Sequence, residues 1–377
     1  MDPAASPAAP AARTDAARRV VVAVSGGVDS SVAALLLARA GHRVEALFMK
    51  NWEDDDVDGR CAAAADLADA EGVCAHLGIP LHRANFADQY RARVFARFLA
   101  DHRAGRTPNP DVLCNREIKF RAFLDHALRL GAERIATGHY ARVRTRDGRF
   151  ELLCAADAGK DQTYFLHLLD QEQLARTWFP LGELHKPEVR RLARAAGLGT
   201  HAKKDSTGIC FIGEREHRAF LRRYLPAEPG EIRSIDGAVL GVHEGLAFYT
   251  LGQRRGLGIG GRRDADAAPW YVVAKDPVAN VLIVAQGHDH PRLYHRGLQA
   301  EAVHWIAGEA PASPLRCEAR IRYRQREQPC VVEIDADSVQ VCFAAPQRAV
   351  TPGQSVVFYR DGVCLGGGRI TAPLDPS

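Results

Sequence analysis

The stretch that most constrains this chain is VVVAVSGGVDSSVAALLLARAG, residues 20–41. Valine-rich residues 20–24 read as a buried strand, and the Ala/Leu-rich run from Ser30 reads as a helix. Between them lie Ser25, Gly26, Gly27, Val28, Asp29, Ser30 and Ser31. A glycine-rich turn from strand into helix points free backbone N–H groups and the positive end of a helix at an anion. The turn lacks the lysine of the GxxxxGK[ST] pattern and carries an aspartate, which would repel a bare phosphate unless a Mg²⁺ lay between them. A glycine turn with a capping Ser or Asp would explain helix entry equally well.

From residue 18 to about 205, strand patterns at 20–24, 44–49, 81–85 and 134–137 alternate with helical patterns at 30–40, 62–77, 89–102, 115–130 and 187–196. That alternation predicts an α/β fold with a doubly wound, mostly parallel sheet. Ligands of such sheets sit beyond the carboxyl ends of the strands, so 25–30, 49–51 and 137–139 should converge on one crevice. After Gly213 the texture changes to short β-prone runs punctuated by glycine, and from about His290 to period-two runs. These predict a small, mainly β central region (206–285) and a C-terminal barrel or sandwich (286–377). Residues 1–17, rich in Ala and Pro, read as a disordered leader.

Several classes are disfavoured. No apolar run reaches membrane-spanning length, and the leader has no apolar core of a secretory signal. The 9 cysteines form no CxxC, which argues for a reduced, cytoplasmic protein without a structural metal; most read as small buried hydrophobes. A net charge of +4 permits a nucleic-acid partner without demanding one. The 50 basic residues are 43 arginines and 7 lysines. In so arginine-biased a chain a retained lysine draws notice, and Lys50, Lys119, Lys160, Lys186, Lys203 and Lys204 all precede residue 205.

Two cysteines have unusual settings. In GRTPNPDVLCN, Cys114 should fall at or just before a helix N-terminus, where a thiolate is favoured, although a packed cysteine also fits. In KKDSTGICFIGER, Cys210 follows a turn near Lys203 and Lys204, and its apolar neighbours equally suit a buried cluster. In CEARIRYRQR, strand alternation would set Arg320, Arg322 and Arg324 on one face, a row suited to a phosphate backbone or simply to solvent. GKDQTYFL should begin a helix with Lys160, Asp161 and Gln162 exposed at its start.

SGGVDSS in its strand–turn–helix setting resembles the signature of the PP-loop ATP pyrophosphatases. Taken in order, SGGVDSS, FMKNW, GRTPNPDVLCN, ATGHYAR, GKDQTYFL, KKDSTGICFIGER, TLGQRRGLGIGG, PWYVV and TPGQSVVFY resemble the bacterial tRNA-specific 2-thiouridylases over nearly the whole chain from Arg18. The resemblance implies a PP-loop domain, a small central domain and a C-terminal β-barrel. It implies ATP, with Mg²⁺, held by Ala23, Val24, Ser25, Gly26, Gly27, Val28, Asp29 and Ser30, and by Met49 and Gly138. It makes Cys114 the nucleophile and Cys210 the persulfide carrier, with a Cys114–Cys210 disulfide left after turnover. Asn109, Pro110 and Asp111 would surround the target base; His139, Lys160, Asp161, Gln162, Arg322, Tyr323 and Gln354 would touch tRNA. A sulfur-relay persulfide donor protein is the further partner implied. An amidating or lysidine-type PP-loop ligase, or an ATP-gated RNA-binding module without turnover, are the alternatives; neither needs two reactive thiols.

Overall fold

A computed structural model describes residues 17–53, 63–205, 217–259, 268–336 and 338–374. The first region builds a parallel sheet from β1 (Arg19–Ala23), β2 (Arg43–Lys50), β3 (Leu81–Asn85) and β4 (Arg134–Ala136). A hairpin, β5 (Arg142–Arg146) and β6 (Arg149–Leu153), leaves this sheet, and the short β7 (Thr177–Trp178) returns to it. The order is β3-β2-β1-β4-β7, all parallel. Val20, Val21 and Val22 have no exposed surface, as a central strand covered on both faces requires. The strand order reverses between β1 and β4, so the turn after β1 and residues 137–139 flank the switch point.

The central region forms a four-stranded sheet from β8 (Gly230–Ser234), β9 (Val239–His243), β10 (Trp270–Asp276) and β11 (Val281–Gln286), in the order β10-β11-β8-β9. The last region follows with β12 (Tyr294–Trp305), β13 (Leu315–Arg320), β14 (Gln328–Asp335), β15 (Ser338–Arg348), β16 (Ser355–Arg360) and β17 (Val363–Leu374). These run β12-β15-β14-β13-β16-β17, and pairing of β12 with β17 closes a six-stranded antiparallel barrel. Its core is a separate cluster that includes Leu298, Val332, Val341 and Phe358. The hairpin of the first region extends the barrel sheet, because β6 pairs with β17. Among the described residues no helix is long and apolar enough to cross a membrane.

Candidate active site at the carboxyl ends of the parallel strands

The turn after β1 enters the helix Val28–Arg39 with Gly27 as its N-cap. Gly26 has φ +70°, and a Cβ there would lie 2.3 Å from the Asp66 carbonyl oxygen. At Gly138 a Cβ would lie 2.6 Å from Ser30 N, so neither position accepts a side chain. The serines expected to face phosphate are partly turned inward. Ser30 Oγ donates to Gly27 O (3.1 Å) and accepts from Ser25 N (3.2 Å), while Ser31 Oγ donates to Gly27 O (2.8 Å). Ser25 remains exposed, and Met49, at the end of β2, is half-buried.

Asp29 differs from its expected role. Lys186 Nζ lies 2.7 Å from both of its carboxylate oxygens, and the Tyr140 hydroxyl donates to it at 2.9 Å. The residues therefore do not fit a metal ion held by the chain; a lysine occupies the place where Mg²⁺ was expected. Among the described residues no group of three or more His, Cys, Asp or Glu could hold one. Lys186 starts the helix Lys186–Ala195 and is itself 2.8 Å from Asp205, which Lys160 (2.5 Å) and Arg190 (2.8 Å) also hold. Burial opposes the Asp205 charge, but its lysine partners outweigh that and bring the carboxyl down to about 2. On the other side of the turn Lys203 donates to Gly26 O (3.1 Å) and pairs with Asp66 (2.7 Å) and Asp69 (2.5 Å). Lys186 is a residue of this cluster that the sequence reading noticed without assigning it to the site. Its signal was the rarity of lysine in this chain.

Cys114 is fully buried and sits one turn deeper than expected. Asn109 caps the chain by accepting from Asp111 N (3.2 Å), and Pro110 takes the first helical position, so the helix begins at Pro110–Cys114 rather than at residue 115. It widens at once into the π-helical turn Asn115–Ala122, then continues as Phe123–Arg129. Cys210 lies outside the described residues. Of the other thiols, burial raises Cys74 to about 11; burial and the Asp161 charge do the same to Cys154. Cys342, on β15, is exposed.

The end of β4 joins the two halves of the site. Tyr140 reaches Asp29, while the His139 ring packs 5.5 Å from Phe120 of the cysteine-bearing helix. Burial and the Lys119 charge hold His139 neutral, well below the ordinary histidine value, with Nδ1 2.8 Å from Thr137 Oγ1. Gln162 is tied to Tyr140 through both its side chain and its backbone N–H, each at 2.9 Å. Asp161 is not exposed: it is 3% accessible and pairs with Arg320 at 2.6 Å. The helix it precedes is only Thr163–Leu166.

The arginine row does not form. β13 ends at Arg320, which is buried, and the chain then turns, with Arg324 exposed at φ +64°. Arg322 is half-buried and donates to Ala349 O at 3.0 Å. Tyr323 packs on Phe165 (4.5 Å) and lies under Arg324, and Gln354 donates to Thr107 O at 2.7 Å.

Three family profiles match the chain: one described as tRNA methyl transferase HUP domain over residues 18–214, a PRC-barrel domain over 218–286, and an aminomethyltransferase β-barrel domain over 295–370. The tRNA-specific 2-thiouridylase MnmA of Methylococcus capsulatus is 62% identical over 354 residues, covering 93% of this chain and 95% of that protein. The chain belongs to the tRNA-specific 2-thiouridylase family. Other members of this family are similar to the same degree. That of Alkalilimnicola ehrlichii is 62% identical over 93% of this chain and 97% of its own; that of Stutzerimonas stutzeri is 60% identical over 93% and 94%.

Proposed function

We propose that this chain is an ATP-dependent tRNA sulfurtransferase that replaces the C2 oxygen of the wobble uridine (position 34) with sulfur. The observation that carries the reading is the junction at His139–Tyr140, which links the lysine-free glycine turn to the helix bearing Cys114.

The uridine C2 oxygen is a poor leaving group. Its attack on the α-phosphate of ATP releases pyrophosphate and leaves an adenylate. The turn at 25–30 offers backbone N–H groups to the departing pyrophosphate, and Lys186 supplies the cation that the turn itself lacks. The Mg²⁺ that accompanies ATP would be carried by its phosphate oxygens. A persulfide on Cys210 then attacks C2 with its terminal sulfur and AMP leaves. The Cys114 thiolate attacks the Cys210 sulfur of that adduct, forming a Cys114–Cys210 disulfide and releasing the 2-thiouridine; a cellular thiol later reduces the disulfide. Burial of Cys114 requires that the base be extruded from the anticodon stack and brought against Asn109–Pro110–Asp111. The persulfide comes from a relay donor protein. Lys160, His139, Gln162, Arg322, Tyr323 and Gln354 are candidate tRNA contacts. Asp161 acts from beneath them as a fixed anion.

The test is mass analysis of nucleosides from tRNA incubated with protein, ATP, Mg²⁺ and a persulfide donor. Wild type should form 2-thiouridine with AMP and pyrophosphate. Cys210→Ser should accept no labelled sulfur, and Cys114→Ser should load sulfur and retain it. Formation of 2-thiouridine at wild-type rates by both variants would overturn the persulfide route, and ADP as the main product would overturn the PP-loop assignment.

A further inference from the structure

The segment that leads into Asn109 and Cys114 is fastened to both of the other regions. Gly105 O accepts from Lys275 Nζ of β10 at 3.0 Å, and Thr107 Oγ1 lies 3.3 Å from Thr250 Oγ1. On the barrel side Thr107 N donates to Pro352 O (2.9 Å) and Thr107 O accepts from Gln354 Nε2 (2.7 Å). The barrel loop that makes these bonds is itself stitched to β17: Gly353 N donates to Ile370 O and Ile370 N to Gln354 O, both at 2.9 Å. The same loop accepts Arg322 at Ala349 O. Two candidate RNA contacts and the approach to the base therefore share one framework.

Asp101 lies at its centre. Its side chain is 5% exposed, yet it receives two guanidinium groups from different regions. Arg106, from the segment itself, donates through Nε (2.8 Å) and approaches through Nη2 (2.6 Å). Arg369, the residue beside Ile370 on β17, donates to the same carboxylate oxygen at 2.9 Å and also pairs with Glu301 of β12. A greasy contact would bury the joint equally well but would leave its orientation free, whereas planar forks on one carboxylate fix both distance and angle. Arg369 lies far in sequence from Cys114 and has no part in its local fold.

We propose that Asp101, through Arg106 and Arg369, is a positioning residue that locks the 105–109 segment to the barrel, so that tRNA held by the barrel finds Asn109–Asp111 and Cys114 in register. This rests on the sulfurtransferase reading above. It adds that barrel and base site work as one rigid unit.

The experiment uses the full chain with Asp101→Asn, Arg369→Met and Arg369→Lys. Single-turnover thiolation at saturating tRNA, tRNA and ATP affinities, thermal midpoint, and the iodoacetamide labelling rate of Cys114 are measured for each. Asp101→Asn and Arg369→Met should lose about tenfold or more in single-turnover rate, since ångström-scale misplacement is costly. Both affinities should stay within about twofold, labelling of Cys114 should quicken, and Arg369→Lys should recover most of the lost rate. An unchanged rate at saturation, a loss seen only in tRNA affinity, or a loss in Arg369→Lys equal to that in Arg369→Met would overturn the proposal. If Asp101→Asn does not fold, Arg369→Met and Arg369→Lys carry the same readouts. Failure of wild type to make 2-thiouridine would instead overturn the functional reading. Cys114 labelling would still decide the positioning role, because it needs no turnover.

Discussion

Two aspartate–cation centres of this molecule differ in their main cation, although Arg190 also reaches Asp205 in the first. Beside the nucleotide turn, Asp29 is paired with Lys186, which also serves Asp205, and the aspartates keep 31% and 30% of their side-chain surface exposed. At the barrel junction Asp161 keeps 1% and is held by Arg320, which also binds Glu327 (2.5 Å) and lies 4.4 Å over the Tyr359 ring. Asp161 accepts further bonds from Ala155 N (3.0 Å) and Thr163 Oγ1 (2.8 Å), so nothing in this centre has anywhere else to go. A lysine is a point charge on a flexible stem, able to move from one anion to another. An arginine is a planar fork that holds one arrangement. In a chain with 43 arginines, Asp29 is left to a lysine, whose pair can rearrange, and Asp161 to an arginine, whose pair is fixed.

That contrast can be broken at either end. The largest effect is expected from Arg320→Met, which leaves the Asp161 carboxylate buried without its partner; the loss should be about 3–5 kcal/mol in denaturant unfolding. A loss under about 1 kcal/mol would mean that the barrel centre is not fixed. Next, Lys186→Arg keeps the charge but not the mobility. It should cut tRNA-dependent pyrophosphate release about 100-fold, roughly 2.7 kcal/mol, with a thermal midpoint close to wild type. Full activity in Lys186→Arg would erase the distinction between the two cations.

The smallest effect is one of pH. Although burial opposes its charge, lysine partners bring the Asp205 carboxyl down to about 2 from an ordinary 3.8, so its contribution is complete above about pH 5 and is lost as pH falls from there towards 2. The unfolding free energies of wild type and Asp205→Asn should thus differ by a constant amount above about pH 5, about 1–2 kcal/mol after allowing for exposure, and converge below it. A gap that persists at pH 2 would show that Asp205 contributes by packing, not by charge.

What could be read from the sequence was local. The parallel sheet and its crevice follow from valine runs and helical periodicity within some twenty residues. The nucleotide turn is a single contiguous stretch. Lys186 was not legible as part of the site because it meets Asp29 across 157 positions, and only its scarcity marked it. The arginine row misled because the residues after Arg320 keep a strand-like alternation while the backbone turns at Arg324, and no period-two pattern reports a positive φ. The hairpin at 142–153 did carry a sign, an Asp-Gly pair between alternating runs, and Asp147 (φ 51°) and Gly148 (φ 77°) form that turn. Cys114 lies one turn further into its helix than its sequence suggests, because two prolines, Pro108 and Pro110, favour an extended turn while Asn109 and Pro110 in fact start the helix.

The hairpin of the first region has a consequence for how the chain is made. β5 and β6 are complete once about 155 residues exist, but the strand that covers the open side of β6 is β17, about two hundred residues further along. For the time a ribosome needs to add those residues, on the order of ten seconds or more at cellular rates, Leu152 and Leu153 border an unpaired edge. On that waiting ribbon Arg142, Arg144, Arg146 and Arg149 outweigh Asp147 and Glu151, and a net positive charge discourages two nascent chains from zipping together. That charge acts on the chain as it is made, before any substrate is met.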